Sequence, residues 1–143
     1  MSWKFIENIA NMNVTQLLKK VLSDKEVQDF IVHLNTDVQL FDLGIDSTGV
    51  RLSSIGGSYS QFTLSLNPQK KKDRVTLKDT GDFHNSFKVN PLGNGDFEIT
   101  SDPIKDGVSL FERWGDDVEG LTPNNHEKVI DLLEEKILEI LCK

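Results

Sequence analysis

From Val27 to Phe41 apolar residues return every three or four positions, at Val27, Phe30, Ile31, Leu34, Val38 and Phe41. That is the period of one helical face. Gly44 follows the stripe and suits the left-handed residue that closes a helix. Ser23 and Glu26 stand three apart in front of it, the spacing of a capping box. The pattern predicts a long helix from about Asp24 to Leu43, bent or broken near Ser23. One apolar stripe of that length must be covered, and a sheet laid across it is the expected cover. An earlier stripe, Val14, Leu17, Leu18, Val21 and Leu22, has the same period. A last one closes the chain, with Val129, Leu132, Leu133, Ile137, Ile140 and Leu141 on one face and Glu134, Glu135 and Glu139 on the wet side. Thr122 as N-cap and Pro123 as first helical residue place that helix at about 123–141.

Between the helical stripes the period changes to two. Phe62-Thr63-Leu64-Ser65-Leu66 alternates apolar and polar and stops at Pro68; Phe87-Lys88-Val89 and Phe97-Glu98-Ile99-Thr100 alternate likewise. Asn94-Gly95 between the last two is a hairpin signal. Glycines and hydroxyls over 44–61 mark turns. Pro103 opens a further element, and Leu110-Phe111-Glu112-Arg113-Trp114 reads as a short helix stopped by Gly115. The expected fold is α+β: a small antiparallel sheet of three to four strands packed against a long N-terminal helix and a C-terminal helix. Residues 1–23 read as an N-terminal arm or short helix, and residues 24–143 as a single α+β domain. A chain of 143 residues can bury such a core without staples.

Residues that carry chemistry are sparse. The histidines are His33, His84 and His126, with no helical metal-ligand spacing between any pair and no H-E-x-x-H. His84 with Asp79 and Ser86 has the composition of a hydrolase site, yet the serine lacks a strand–nucleophile–helix setting. Asp116-Asp117 beside Trp114 reads as a solvated loop. Gly56-Gly57 alone is no phosphate cradle. Cys142 is the single cysteine, which rules out an intrachain disulfide and a cysteine metal site. No enzyme activity, metal or cofactor is expected. Trp3 to Met12 is too short and too polar for a signal peptide or a membrane span, so a cytosolic product, or a particle assembled in a cytosol, is expected.

Charge is unevenly placed. The formal net charge is -7, and from Asp96 to Glu139 thirteen acids face four bases. Lys70-Lys71-Lys72-Asp73-Arg74 is a basic run in this acidic chain. An acidic protein does not wrap nucleic acid by counterion release, although a negative wall can surround DNA without holding it. The candidate contact residues are the apolar N-terminal Trp3, Phe5, Ile6 and Ile9, the basic Lys70, Lys71, Lys72 and Arg74, and the pair Arg113 and Trp114, residue types enriched at interface hot spots. In Leu77-Lys78-Asp79-Thr80-Gly81-Asp82-Phe83-His84-Asn85-Ser86-Phe87, Asp79 and Thr80 are candidate caps. Gly81 leaves room to turn there, and Phe83 and Phe87 share a helical face.

Several of these segments occur in a characteristic order: Gly44-Ile45-Asp46, Tyr59 to Thr63, Lys70 to Arg74, Leu77 to Phe83, a hairpin, Phe111 to Gly115, Gly120 to Pro123 and a closing helix. Over residues 24–141 this resembles the small neck or tail-completion proteins of tailed bacteriophages of gut bacteria, the crAss-like group among them. It is similar, more loosely, to the head–tail joining and virion morphogenesis families, whose Thr-Gly-x-Leu-x-x-Ser motif Thr80, Gly81, Phe83 and Ser86 would match. The resemblance implies a structural virion protein: a homo-oligomeric ring of six or, to match a portal, twelve copies. It would join portal and capsid to the tail around the DNA channel after assembly in the host cytoplasm. Portal and other neck or tail proteins would be its partners, with genomic DNA passing through unbound and no membrane involved. Asp79, Thr80, Gly81 and Phe83 then join the contact candidates. A tail terminator or tube-capping protein, a small hydrolase using His84 and a monomeric regulatory binding module are the competing readings.

Overall fold

The computed structural model describes residues 14–57, 74–78, 80–92 and 95–142. Among the described residues helix α1 (Val14–Leu22) comes first. Ser23 ends it, its hydroxyl donating to the Lys19 carbonyl at 2.8 Å. With Ser23 so engaged, the cap of the next helix, α2 (Lys25–His33), falls to Asp24, whose carboxylate accepts from Glu26 N–H at 2.8 Å. The cap thus lies one residue later than the Ser23–Glu26 spacing predicts.

The long helical run is present, but its winding changes midway. After His33 the chain continues as a π-helix, Leu34–Leu43. Such helices are usually single-turn bulges; this one runs for ten residues. Asn35, Thr36 and Gln39 are buried on it. Gly44 closes the run at φ 64°. A Cβ there would sit 2.8 Å from the Cβ of Arg74 and 3.0 Å from the Val75 carbonyl oxygen, so the glycine also admits the returning chain. A tight loop follows. The buried Asp46 holds it, one carboxylate oxygen accepting from Thr48 N–H at 2.9 Å, the Thr48 hydroxyl at 2.6 Å and Val50 N–H at 3.1 Å. It leads into α3 (Leu52–Gly56).

Beyond residue 74 comes an irregular segment, then α4 (Asp82–Asn85), β1 (Lys88–Pro91) and β2 (Phe97–Thr100). β1 and β2 are antiparallel, with Lys88 opposite Thr100 and Pro91 opposite Phe97. β3 (Ile104–Lys105) and β4 (Val108–Ser109) make a second antiparallel pair. The fold is therefore α+β. The described residues contain two separate two-stranded sheets, in place of the one sheet of three to four strands expected. The element opened by Pro103 is a hairpin: Asp106 and Gly107 both have positive φ, 53° and 80°, as a type I′ turn requires. That turn pairs β3 with β4 and leaves neither joined to β2. The expected strand Phe62–Leu66 lies outside the described residues. Helix α5 (Phe111–Trp114), a 3₁₀ turn at Asp116–Val118 and helix α6 (Pro123–Leu141) complete the order. Thr122 caps α6, its hydroxyl accepting from Asn125 N–H at 3.3 Å, with Pro123 at the first turn.

The core formed by the described residues has two parts. In one, Leu40, Leu52, Val75, Phe83, Trp114 and Val118 pack together. In the other, Val21 and Leu22 of α1 join Val27, Ile31 and Leu34 against Val129 of α6. Val32 and Ile99 touch both. No helix among the described residues is long and apolar enough to cross a membrane.

Candidate functional site

Two places bring predicted residues together. The first is an open cleft of about 400 Å³ between the outer side of α2 and the segment Lys78–Phe87; Asp29, His33, Asp37, Lys78, His84 and Asn85 line it. Gly81, at φ 94°, starts α4 as its N-cap. Thr80 contributes only a hydroxyl that accepts from Asp82 N–H at 3.3 Å. The turn buries Phe83 against Phe87, ring centroids 5.0 Å apart in an edge-to-face pair, but Phe87 lies past the end of α4 (Asp82–Asn85), so the two meet without sharing the expected helical face. His84 is buried with them. Its Nε2–H donates to the Thr76 carbonyl at 2.8 Å. Its Nδ1 is enclosed without a hydrogen-bond partner. Burial holds its pKa below the usual histidine value, and the Lys78 charge lowers it further. The Thr76 bond and the Asp37 charge oppose this without cancelling it. The ring is therefore neutral at pH 7. Opposite it, His33 Nδ1 lies 2.9 Å from the Asp37 carboxylate, and both side chains are half exposed.

Neither nitrogen of His84 is presented to the cleft as a proton-transfer partner. Ser86 is engaged elsewhere: its hydroxyl donates to the Phe83 carbonyl at 2.6 Å and accepts from Asp102 N–H at 2.9 Å. The hydrolase trio drawn from composition is not assembled as a hydrogen-bonded relay between these two. Among the described residues no group of three or more His, Cys, Asp or Glu is placed to hold a metal ion.

The second place is the corner around Arg113 and Trp114. Arg113 Nε donates to the Gly56 carbonyl at 2.6 Å, and its guanidinium stacks over the Trp114 ring at 4.4 Å. Trp114 is buried in the chain's own core, while Arg113 is exposed. Gly56 is required here: a Cβ would come within 2.7 Å of both Trp114 Nε1 and the Arg113 side chain. Arg74 lies elsewhere. Its Nε donates to the Phe41 carbonyl at 2.6 Å and its guanidinium stands 5.8 Å from the Phe41 ring, which the Lys78 ammonium approaches to 5.1 Å. Trp3, Phe5, Ile6, Ile9, Lys70, Lys71, Lys72 and Asp79 lie outside the described residues.

Sequence reasoning missed a buried network. The Asn35 amide donates to the Val118 carbonyl and accepts from Gly120 N–H, both at 2.8 Å. Gln39 donates to the Gly120 carbonyl at 2.9 Å, and its oxygen accepts from Thr122 N–H at 2.9 Å and Asn125 Nδ2 at 2.8 Å. The available signal was two amides four apart inside a strongly apolar helical run. Compared with known families, curated proteins and solved structures, the chain matches no family, no curated protein and no solved structure.

Proposed function

We propose that this chain is a structural subunit that assembles with copies of itself into a ring, in the neck joining the capsid to the tail of a tailed bacteriophage. The observation that carries the reading is the β3–β4 hairpin. Ile104 and Val108 are 58% and 57% exposed on it. Both lie in two-residue strands that, among the described residues, pair only with each other. Strands this short, with exposed apolar side chains, contribute little to a chain's own core, and among the described residues their outer edges are open for a neighbouring chain to dock. The sequence resemblance over residues 24–141 supplies the setting, a ring beneath a portal. The strongly negative segment Asp96–Glu139 suits a channel that DNA crosses without sticking.

The deciding experiment is cryo-electron microscopy of virions carrying this protein, with the chain traced into the density between portal and tail. A ring of this fold at that level supports the reading. Its location at the capsid surface, at the tail tip, or outside the particle overturns it. Deleting residues 1–12 should give a folded chain that completes few particles, scored by infectious titre against total particle count. Undiminished completion would exclude the N-terminal arm as a contact.

A further inference from the structure

We infer that His84 is a proton-operated latch: neutral, it holds segment 75–78 against α4, and on taking up a second proton its ring swings into the cleft beside it and lets that segment go. Such a device works whether or not copies assemble into a ring.

The held segment is strained. Leu77 has a positive φ, 57°. Among the described residues only Asp106 shares that sign without being glycine, and there a hairpin turn requires it. A bulky side chain in the left-handed region is an outlier that persists only where its surroundings hold it. Val75, Thr76 and Leu77 are all buried. The Thr76 carbonyl accepts His84 Nε2–H at 2.8 Å. That carbonyl belongs to the peptide unit whose orientation sets φ of Leu77, so the bond acts directly on the strained torsion. Lys78 N–H turns back to the Thr76 hydroxyl at 3.3 Å.

The latched ring has a place for one proton. Nε2–H is spent on Thr76, so a second proton must sit on Nδ1, which is enclosed without a hydrogen-bond partner. The Phe83 and Phe87 rings stand beside it, at 6.2 and 6.4 Å between centroids. An imidazolium kept there would bury a charge and an unmatched N–H. The open space that His84 borders is the cleft. Among the described residues the titratable and charged groups facing it are Asp29, His33 and Asp37 on the helical run and Lys78 on the held segment. Asp82 of its own helix is exposed. Lys25 pairs with Asp29 and His33 with Asp37, but both bridges lie in solvent, where such pairs are weak and exchange partners readily. The two carboxylates can therefore receive an imidazolium that swings out, whereas Lys78 repels one that stays. With the ring gone, the Thr76 carbonyl turns to water, Leu77 relaxes to negative φ, and Lys78 leaves the cleft wall. Burial and the Lys78 charge keep the pKa of the latched ring below the usual histidine value. The charged form thus belongs to the released state, and release follows acidification.

The test is hydrogen–deuterium exchange of the full-length protein, read by mass spectrometry from about pH 7.5 to about pH 5 and corrected for the intrinsic pH dependence of exchange. Peptides covering residues 75–87 should lose protection by about tenfold or more across that range, beginning near pH 6.5, while α6 keeps its own. A nitrogen NMR titration of the His84 ring should show the neutral Nε2–H form at the upper end and a midpoint that coincides with the loss of protection. His84→Gln, which cannot charge, should give a flat profile. His33→Gln, which removes the other imidazole of the cleft, should leave the profile in place. Four outcomes overturn the latch: protection at 75–87 that does not change, protection lost only together with that of α6, the same profile in folded His84→Gln, or a profile flattened by His33→Gln. Should His84→Gln fail to fold, the unaltered protein decides, because a ring that titrates apart from the exchange transition also overturns it.

Discussion

Asn35 and Gln39 read the backbone of 118–122 as an adjacent strand would, each amide offering one donor and one acceptor to main-chain groups across the fold. Both side chains are fully buried, and a buried group deprived of its partner bears its whole desolvation cost. Gln39→Leu would strand the Gly120 carbonyl, Thr122 N–H and one Asn125 donor. We expect it to lower unfolding free energy by about 3 kcal/mol, read as a shift in urea midpoint at unchanged slope. His84 gives a second expectation at this scale. Its folded-state pKa lies below the ordinary value of 6.5. The unfolded chain therefore takes up a proton first as pH falls. The stabilisation is complete above the unfolded value and is lost as pH drops from about 6.5 through the lowered folded value. Urea midpoints measured from pH 7.5 downward should decline across that window. In His84→Gln, where an amide can still donate toward the Thr76 carbonyl, the decline should be visibly shallower; equal slopes would remove His84 as its source.

At the scale of elements, Gly44 shows how one residue serves two constraints. Its positive φ ends the π-helix, and its missing Cβ leaves space for the chain at Arg74 and Val75. Gly44→Ala should cost about 2 kcal/mol or more, measured by thermal unfolding, because strain and overlap add. The helix it closes was legible in part. The Val27–Phe41 stripe fixes a helical run, but the same periodicity does not distinguish α from π winding. Nor does it show the buried partners of Asn35 and Gln39, which lie more than eighty positions away. The last helix was legible to its first turn because Thr122 and Pro123 are local signals. The β3–β4 hairpin was missed although Asp106-Gly107 announces it, since strands of two residues have no alternation to see. Its exposed apolar side chains make a further prediction. Ile104→Thr with Val108→Thr should change stability by less than about 0.5 kcal/mol. If the hairpin docks on a neighbour, the same pair should reduce particle completion, scored by infectious titre per particle.

Among the described residues the core is two packed clusters joined through Val32 and Ile99, and α1 belongs to the second of them. Leu17, Val21 and Leu22 are each at most 5% exposed. Burying a side chain of this size is worth about 1.5–3 kcal/mol, so the three together contribute about 6 kcal/mol. A small domain is stable by only about 5–15 kcal/mol in total. Removing α1 also uncovers the side of α6 on which Val129 packs, together with the inner faces of Val27 and Ile31. A chain beginning at residue 24 should therefore lose cooperative unfolding, seen as a broad, low-enthalpy calorimetric transition and binding of a hydrophobic dye. The first cluster contains none of the α1 residues. In that truncated chain the fluorescence of Trp114, isolated by the absence of Trp3, should still report a buried indole in dilute buffer. A sharp transition with native enthalpy would mean that α1 is dispensable to the fold. An exposed Trp114 would mean that the two clusters stand or fall together.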